Sequence, residues 1–295
     1  MVHTQSDNLT KEEKFLKQSI DKMSELHALL LNALIEVRQK ALQHIEVSKK
    51  KYLASSDDIN PNTKFVDNKG ILALLESQSL AKFSDDKKLT NWELDDEFIN
   101  IIWSEIRNSP LYERYINNES QSFEEDQEFL IEVFKRIVAP NEKLADYFED
   151  KNLTWVDDIP FVNTWIVKDL GNLKPNKPYK LGRLYKDEQD EDFVVDLFRK
   201  VILNFSEFDV IIDEKTPNWE TERIADIDLI LMKMALCEFI HFASIPTRVS
   251  INEYIEIAKD YSSQKSSFFI NGVLDKILKQ YNDEGKIKKM GRGLL

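Results

Sequence analysis

The fold class that this 295-residue sequence predicts is all-α, and three observations predict it. Glycine and proline are scarce, seven and eight in all, so the chain has little of the turn chemistry that many short strands need. Apolar residues recur at helical spacing through most of its length. Where those periodic stretches begin, Ser/Thr-x-x-Glu patterns and a Ser-Pro pair supply helix starts. The length allows two folding units with ample core.

Charge divides the chain. The net charge is −13, yet residues 219–295 hold 11 Lys+Arg against 11 Asp+Glu. Residues 1–218 hold 29 against 42 and so carry the whole excess. The acidic part repels nucleic acid, whereas the C-terminal part ends in the basic run Lys286, Lys288, Lys289 and Arg292, able to touch phosphate locally. The single Cys237 excludes an intramolecular disulfide framework and a multi-cysteine metal site. No apolar run reaches membrane-spanning length and the opening residues carry no signal-peptide core, so no membrane association and a cytoplasmic location are expected.

In chain order, Thr10 and Glu13 form a capping-box pattern that opens one long amphipathic helix to about Lys51, a spine for shorter helices. Asn60–Pro61–Asn62 sits in the loop that ends it. Helices follow over Gly70–Phe83 and Leu94–Arg107. Another starts at Ser109–Pro110, and one opens at Ser122/Glu125 and runs to Val138. A short one spans Asn141–Phe148, and Asp158–Leu170 ends at Gly171, placed as a C-terminal glycine. Nothing here has the residues of a catalytic centre. His3, His27 and His44 lack metal-ligand spacing, no Gly-rich phosphate loop occurs, and the tryptophans read as core. The stretch 171–189, with two glycines and two prolines, is the boundary candidate, dividing an acidic helical region, 1–185, from a helical core with a basic tail, 186–295.

The C-terminal region is organised around Ile224–Phe242, apolar nearly all the way round and so expected inside a bundle. Asp226, Lys233 and His241 share one side; Asp228 falls elsewhere, among Met232 and Ala235. Two readings of Asp228 stand on pattern: a first-turn carboxylate favoured by the helix partial charge, or one presented to a partner through a gap in the apolar surface. Before this helix come a helix over Asp192–Phe205, its extension to Ile212, and a link containing Asn218 and Trp219. After it, Ser250 and Glu253 make a third capping box, with Val249 and Tyr254 at the staple positions. The last helix, FFINGVLDKILKQY, buries Ile270, Val273, Leu274, Ile277, Leu278 and Tyr281. Phe268 and Phe269 project about 150° and 110° from that arc. They form either a contact surface, with Lys265 and Asn271, or local packing.

The segments IDLILMKMALCEF, SIPTRVSINEYIEIAKDY and SFFINGVLDKIL, in this order and spacing, resemble the C-terminal core of the NusB family of bacterial transcription antitermination factors. The likeness extends more weakly back to about Asp190 through PNWETERI, and the acidic region before it is similar to the large insertion of long-form members. The resemblance implies a NusB-like helical bundle with an additional N-terminal helical region, no enzymatic activity, and no cofactor or metal. It implies pairing with the ribosomal small-subunit protein that acts as NusE. The pair would bind boxA-type single-stranded RNA in ribosomal RNA transcripts and join the RNA polymerase antitermination complex. Carried over by position, Asp228 is the partner-facing carboxylate, and Lys265, Ser266, Phe269 and Asn271 are the RNA-side residues. The family's Arg-rich first helix has no counterpart at the start MVHTQSDNLTKEEK, where no arginine precedes Arg38. The resemblance therefore implies that this helix is missing, along with its phosphate charge and one wall of the bundle. That departure motivates an alternative, a protein-interaction scaffold that binds NusE or self-associates through an exposed groove without binding RNA. An RNA cytosine methyltransferase, which can carry the same module, would need a Gly-rich cofactor loop and catalytic cysteines that this chain lacks.

Overall fold

The computed structural model describes residues 8–52, 55–216, 224–263 and 265–294, with the side chains of Asp57 and Arg292 excepted. Among these the chain is helical, and no strand occurs. No helix of the described residues is long and apolar enough to cross a membrane. The chain divides into two compact units. One comprises Leu16–Leu184; the other comprises Tyr185–Leu295 together with the start of the first helix, up to Phe15.

The acidic unit is built on α1 (Leu9–Lys49), whose stretch from Glu25 to Leu31 is buried at every position. A helix can be buried all round only if neighbours cover every face, and the sequence ELHALLL provides the apolar surface for this. Two indoles fasten onto it. Trp92 Nε1 donates to Leu29 O at 2.9 Å and Trp155 Nε1 to Lys22 O at 2.8 Å. His27 is fully buried, stacked on Trp165 at 3.9 Å between ring centroids.

Around the spine lie α2 (Ser56–Ile59), α3 (Lys69–Leu75), α4 (Gln78–Lys87), α5 (Asn91–Leu94), α6 (Asp96–Arg107), α7 (Pro110–Asn117), α8 (Phe123–Val133), α9 (Glu142–Lys151) and α10 (Trp155–Gly171). A π-helical turn, Phe134–Val138, continues α8. The helix expected over Gly70–Phe83 is broken in two because Ser77 leaves helical geometry and caps α4, its hydroxyl accepting from Leu80 N. Ser109 with Pro110 starts α7 as expected. Ser122 caps α8, but Glu125 turns instead to Lys64 and Asn118. Gly171 is not a left-handed C-terminal glycine; it lies inside α10, whose C-cap is Asn172.

The other unit contains α11 (Glu188–Leu203), α12 (Phe205–Lys215), α13 (Asp226–His241), α14 (Thr247–Tyr261) and α15 (Ser266–Asp283), followed by a 3-10 turn, Gly291–Leu294. Asn218 and Trp219 lie outside the described residues. The apolar helix α13 is central and packs against α11, α12, α14 and α15. Its core partners include Phe208, Ile212, Tyr254, Ala258, Ile270 and Leu274. Burying such side chains contributes roughly 1.5–3 kcal/mol each. Lys233, polar on this helix, is buried with its ammonium 2.6 Å from Asp209 and above the Phe205 ring. Burial pulls its pKa down, opposed by Asp209. Cys237 is fully buried, and burial pushes its thiol up to about 12, so it packs and does not react.

Candidate nucleic-acid interface

The candidate site is the N-terminal end of α15 and the turn that leads into it. Helix α14 ends at Tyr261, and Ser262 follows in extended geometry. The Ser262 hydroxyl donates to Asp228 Oδ1 at 2.6 Å. Hydroxyl contacts of 2.9 Å then link Ser266 to both Ser262 and Ser263. A chain of four polar side chains thus ties the first turn of α13 to the first turn of α15. Asp228 also lies where the partial positive charge of α13 favours an anion, worth about 0.3–1 kcal/mol.

This placement bears on the expectation for Asp228. A carboxylate offered through a gap in the surface would be exposed, whereas Asp228 is 5% exposed and bonded within the unit. Its environment matches the first-turn reading, extended by a tertiary hydrogen bond to Ser262. The serine was present in the sequence, 34 residues away, with no local pattern to pair the two.

At α15 itself, Lys265 occupies the N-cap position, and among the described residues no side chain caps the helix. Lys265 is exposed, Ser266 is buried, and Phe269 is half-buried against the core. Asn271 is half-buried, its amide 3.3 Å from Asp275 one turn on. The structure therefore brings Lys265, Ser266 and Phe269 to one helix end and turns Asn271 along the helix. Phe268, which the carried-over site omits, is 81% exposed. Its signal in the sequence was its angle, the farthest of all the helix's aromatics from the buried arc. An aromatic in water, a lysine and an uncapped helix end make a surface suited to an unpaired base and its phosphate.

The opposite end of α13 is closed by a second network. Glu238, buried, accepts from Tyr254 OH at 2.6 Å and from the Ser250 hydroxyl. Burial and the Glu238 carboxylate together push the Tyr254 phenol upward. This corrects the expected capping box at Ser250. Helix α14 begins three residues earlier, after Pro246, so Ser250 lies inside it and spends its hydroxyl on Glu238; Val249, the staple residue, is exposed. The basic tail is similarly redirected. Lys289 Nζ donates to the carbonyls of Glu238 and Phe242, both at 2.9 Å, and Lys286 pairs with Glu284. The backbone at Gly293 approaches Ala243 O so closely that an added Cβ would lie 2.0 Å from it. In this arrangement Lys289 secures the bundle and is not available to phosphate.

A family model described as the NusB family matches residues 172–279. The transcription antitermination protein NusB of Salinibacter ruber is 45% identical over 112 residues, covering 38% of this chain and 70% of that protein. The like-named protein of Chloroherpeton thalassium is 42% identical over 109 residues, 37% of this chain and 52% of its own length. That of Alkaliphilus oremlandii is 40% identical over 94 residues, 32% of this chain and 68% of its own length. No solved structure matches the chain.

Proposed function

The chain belongs to the NusB family, and from that premise we propose that it is a transcription antitermination factor acting with NusE on boxA-type RNA. In this reading the NusE-type ribosomal small-subunit protein and single-stranded leader RNA of ribosomal transcripts are its partners, within the RNA polymerase antitermination complex. The observation that carries it is the pair Phe268–Phe269 at the uncapped end of α15, beside exposed Lys265. Phe268 offers its ring to a base, a stack worth about 1–3 kcal/mol, and Lys265 meets phosphate. Phe269, anchored in the core, fixes the direction of the helix end. Asp228, carried over as the partner-side carboxylate, also holds the Ser262–Ser266 turn of the RNA-side helix end in shape. Arg199, which would otherwise add positive charge, is committed to Glu13 at 2.7 Å, so RNA affinity is shared with the partner protein.

The test is reconstitution of the chain with NusE and measurement of binding to boxA RNA against a scrambled RNA. Preference for boxA, weakened about tenfold by Phe268→Ala, supports the proposal. Asp228→Lys, which breaks the bond to Ser262, should loosen the NusE complex and weaken RNA binding together. NusE binding with no RNA preference would establish the scaffold reading instead, for which the Glu13–Arg199 pairing speaks. Equal weak binding to both RNAs and no complex with NusE would overturn both.

A further inference from the structure

A pocket with about 220 Å3 of room opens in the acidic unit beside the last turns of α1. We propose that it binds a carboxylate carried on a compact apolar group, such as an arylalkanoic acid. The floor and walls are apolar: Ala41, Ile45, Phe65, Val66 and Trp103 line it. Phe65 and Trp103 stack at 5.2 Å and present a preformed aromatic wall. Pockets of this composition bury the body of a small ligand and leave orientation to a few polar groups.

Three such groups are present, none of them ion-paired among the described residues. Arg107, from the last turn of α6, holds NH1 2.6 Å from His44 Nε2. A guanidinium can only donate, so Nε2 accepts and the imidazole is neutral with its proton on Nδ1. Burial and the neighbouring Arg107 both pull the His44 pKa down, in keeping with the neutral form. A carboxylate in place of His44 would cancel the arginine charge; a neutral imidazole fixes the fork and leaves the charge intact. Among the described residues Arg107 makes no ion pair. Ser48, 6% exposed, and Tyr112 also line the pocket, and neither hydroxyl has a hydrogen-bond partner among the described residues.

Together these assign the ligand class. A carboxylate takes the Arg107 fork, with a hydroxyl donor beside it. Asp58 also lines the pocket, and although Lys51 pairs with it at 2.7 Å its charge disfavours a dianion. A phosphate monoester is thereby selected against and a monocarboxylate favoured. The site owes nothing to the RNA-side residues of α15, so its test stands apart from that of the antitermination reading.

The experiment titrates the full chain with 3-phenylpropanoate and with 3-phenylpropanamide, following heat of binding and ligand-observed saturation transfer. Saturable binding of the acid is expected, with the amide weaker by about tenfold or more. Arg107→Gln should abolish the difference between them. Tyr112→Phe, which removes only a hydroxyl, should weaken the acid several-fold and serves if Arg107→Gln does not fold. An acetylated tripeptide ending in phenylalanine with a free carboxylate distinguishes a chain terminus from a free acid as the natural source. Equal affinity for acid and amide, wild-type affinity in Arg107→Gln, or no binding of any probe up to about 10 mM, the range of very weak association, overturns the proposal.

Discussion

The two units close their helix ends differently. In the acidic unit, Ser55, Asn68, Ser77, Ser109, Ser122 and Asn141 each cap the helix that immediately follows. Among the described residues of the C-terminal unit only α11 has such a cap, from Asp187, and α12 to α15 have none. Buried polar groups left without partners cost about 1–3 kcal/mol each, so the second unit must satisfy its ends by other means. At the end of α13 a distant residue does so, Lys289 reaching the carbonyls of Phe242 and Glu238 from 47 and 51 positions away, while Glu238 ties α13 to the interior of α14 through two hydroxyls. Local capping makes those six helices largely self-sufficient, whereas α5, α6 and α10 of the same unit carry no side-chain cap among the described residues. Tertiary hydrogen bonds make the helices depend on one another, and among the described residues no side chain caps the N-terminal end of α12, α13, α14 or α15.

The largest effect that would test this contrast is at Glu238. Glu238→Ala strands the Ser250 and Tyr254 hydroxyls and should destabilise the chain by about 4 kcal/mol. Hydrogen exchange should show α13 and α14 opening while α3 and α8 stay protected; uniform loss of protection would break the contrast. Asn68 is the strongest local cap, accepting from Gly70 N and Ile71 N while donating to Tyr115 OH and Asp126 O. Asn68→Ala should cost about 3 kcal/mol in denaturant unfolding, with exchange rising in α3 and not in α13. Lys289→Met keeps the apolar stem but removes the ammonium from the α13 carbonyls, for a loss of about 2 kcal/mol. A change within a few tenths would show that water replaces the lysine and that tertiary capping contributes little there.

The smallest effect has the opposite sign. Asp158, in the first turn of α10, has Oδ2 buried without a hydrogen-bond partner among the described residues. Burial, helped by the Asp157 charge, raises its pKa to about 6. The folded state therefore favours the protonated acid. Its contribution is fully present below about 3.8, the ordinary value, and is lost as pH rises through about 6. Asp158→Asn should then stabilise the chain by about 1 kcal/mol at pH 8, after allowance for partial solvent screening, and by nothing at pH 3.5. Urea midpoints at the two pH values decide it.

The legibility of the sequence follows the same division. The caps Ser109, with Pro110, and Ser122 are readable because a cap and its helix are neighbours in the chain. The break at Ser77 escaped because the apolar rhythm of Ile71, Leu74, Leu75 and Leu80 continues across it. At the candidate interface, the angle of Phe268 off the buried arc was readable, since helical geometry alone fixes it. The fate of Ser250 was not: its spacing to Glu253 is that of a capping box, and only the approach of Glu238 from α13 makes it an interior hydrogen-bond donor. Asp228 shows the same limit, because its partner Ser262 has no fixed spacing from it.

By itself the sequence determined the helical class, the order of the elements, the central place of the apolar helix over Ile224–Phe242, and family membership through the three C-terminal segments. These rest on periodicity and on contiguous strings of residues, which are properties of the chain taken in order. Tertiary structure alone decided which side chains are spent inside and which stay in water. It took Asp228, Glu238, Ser250 and Lys289 inward and left Phe268 and Lys265 in water. The physical reason is that a hydrogen bond between distant residues has no register in the sequence. It exists only once the apolar helices have packed and set the side chains within about 3 Å of each other.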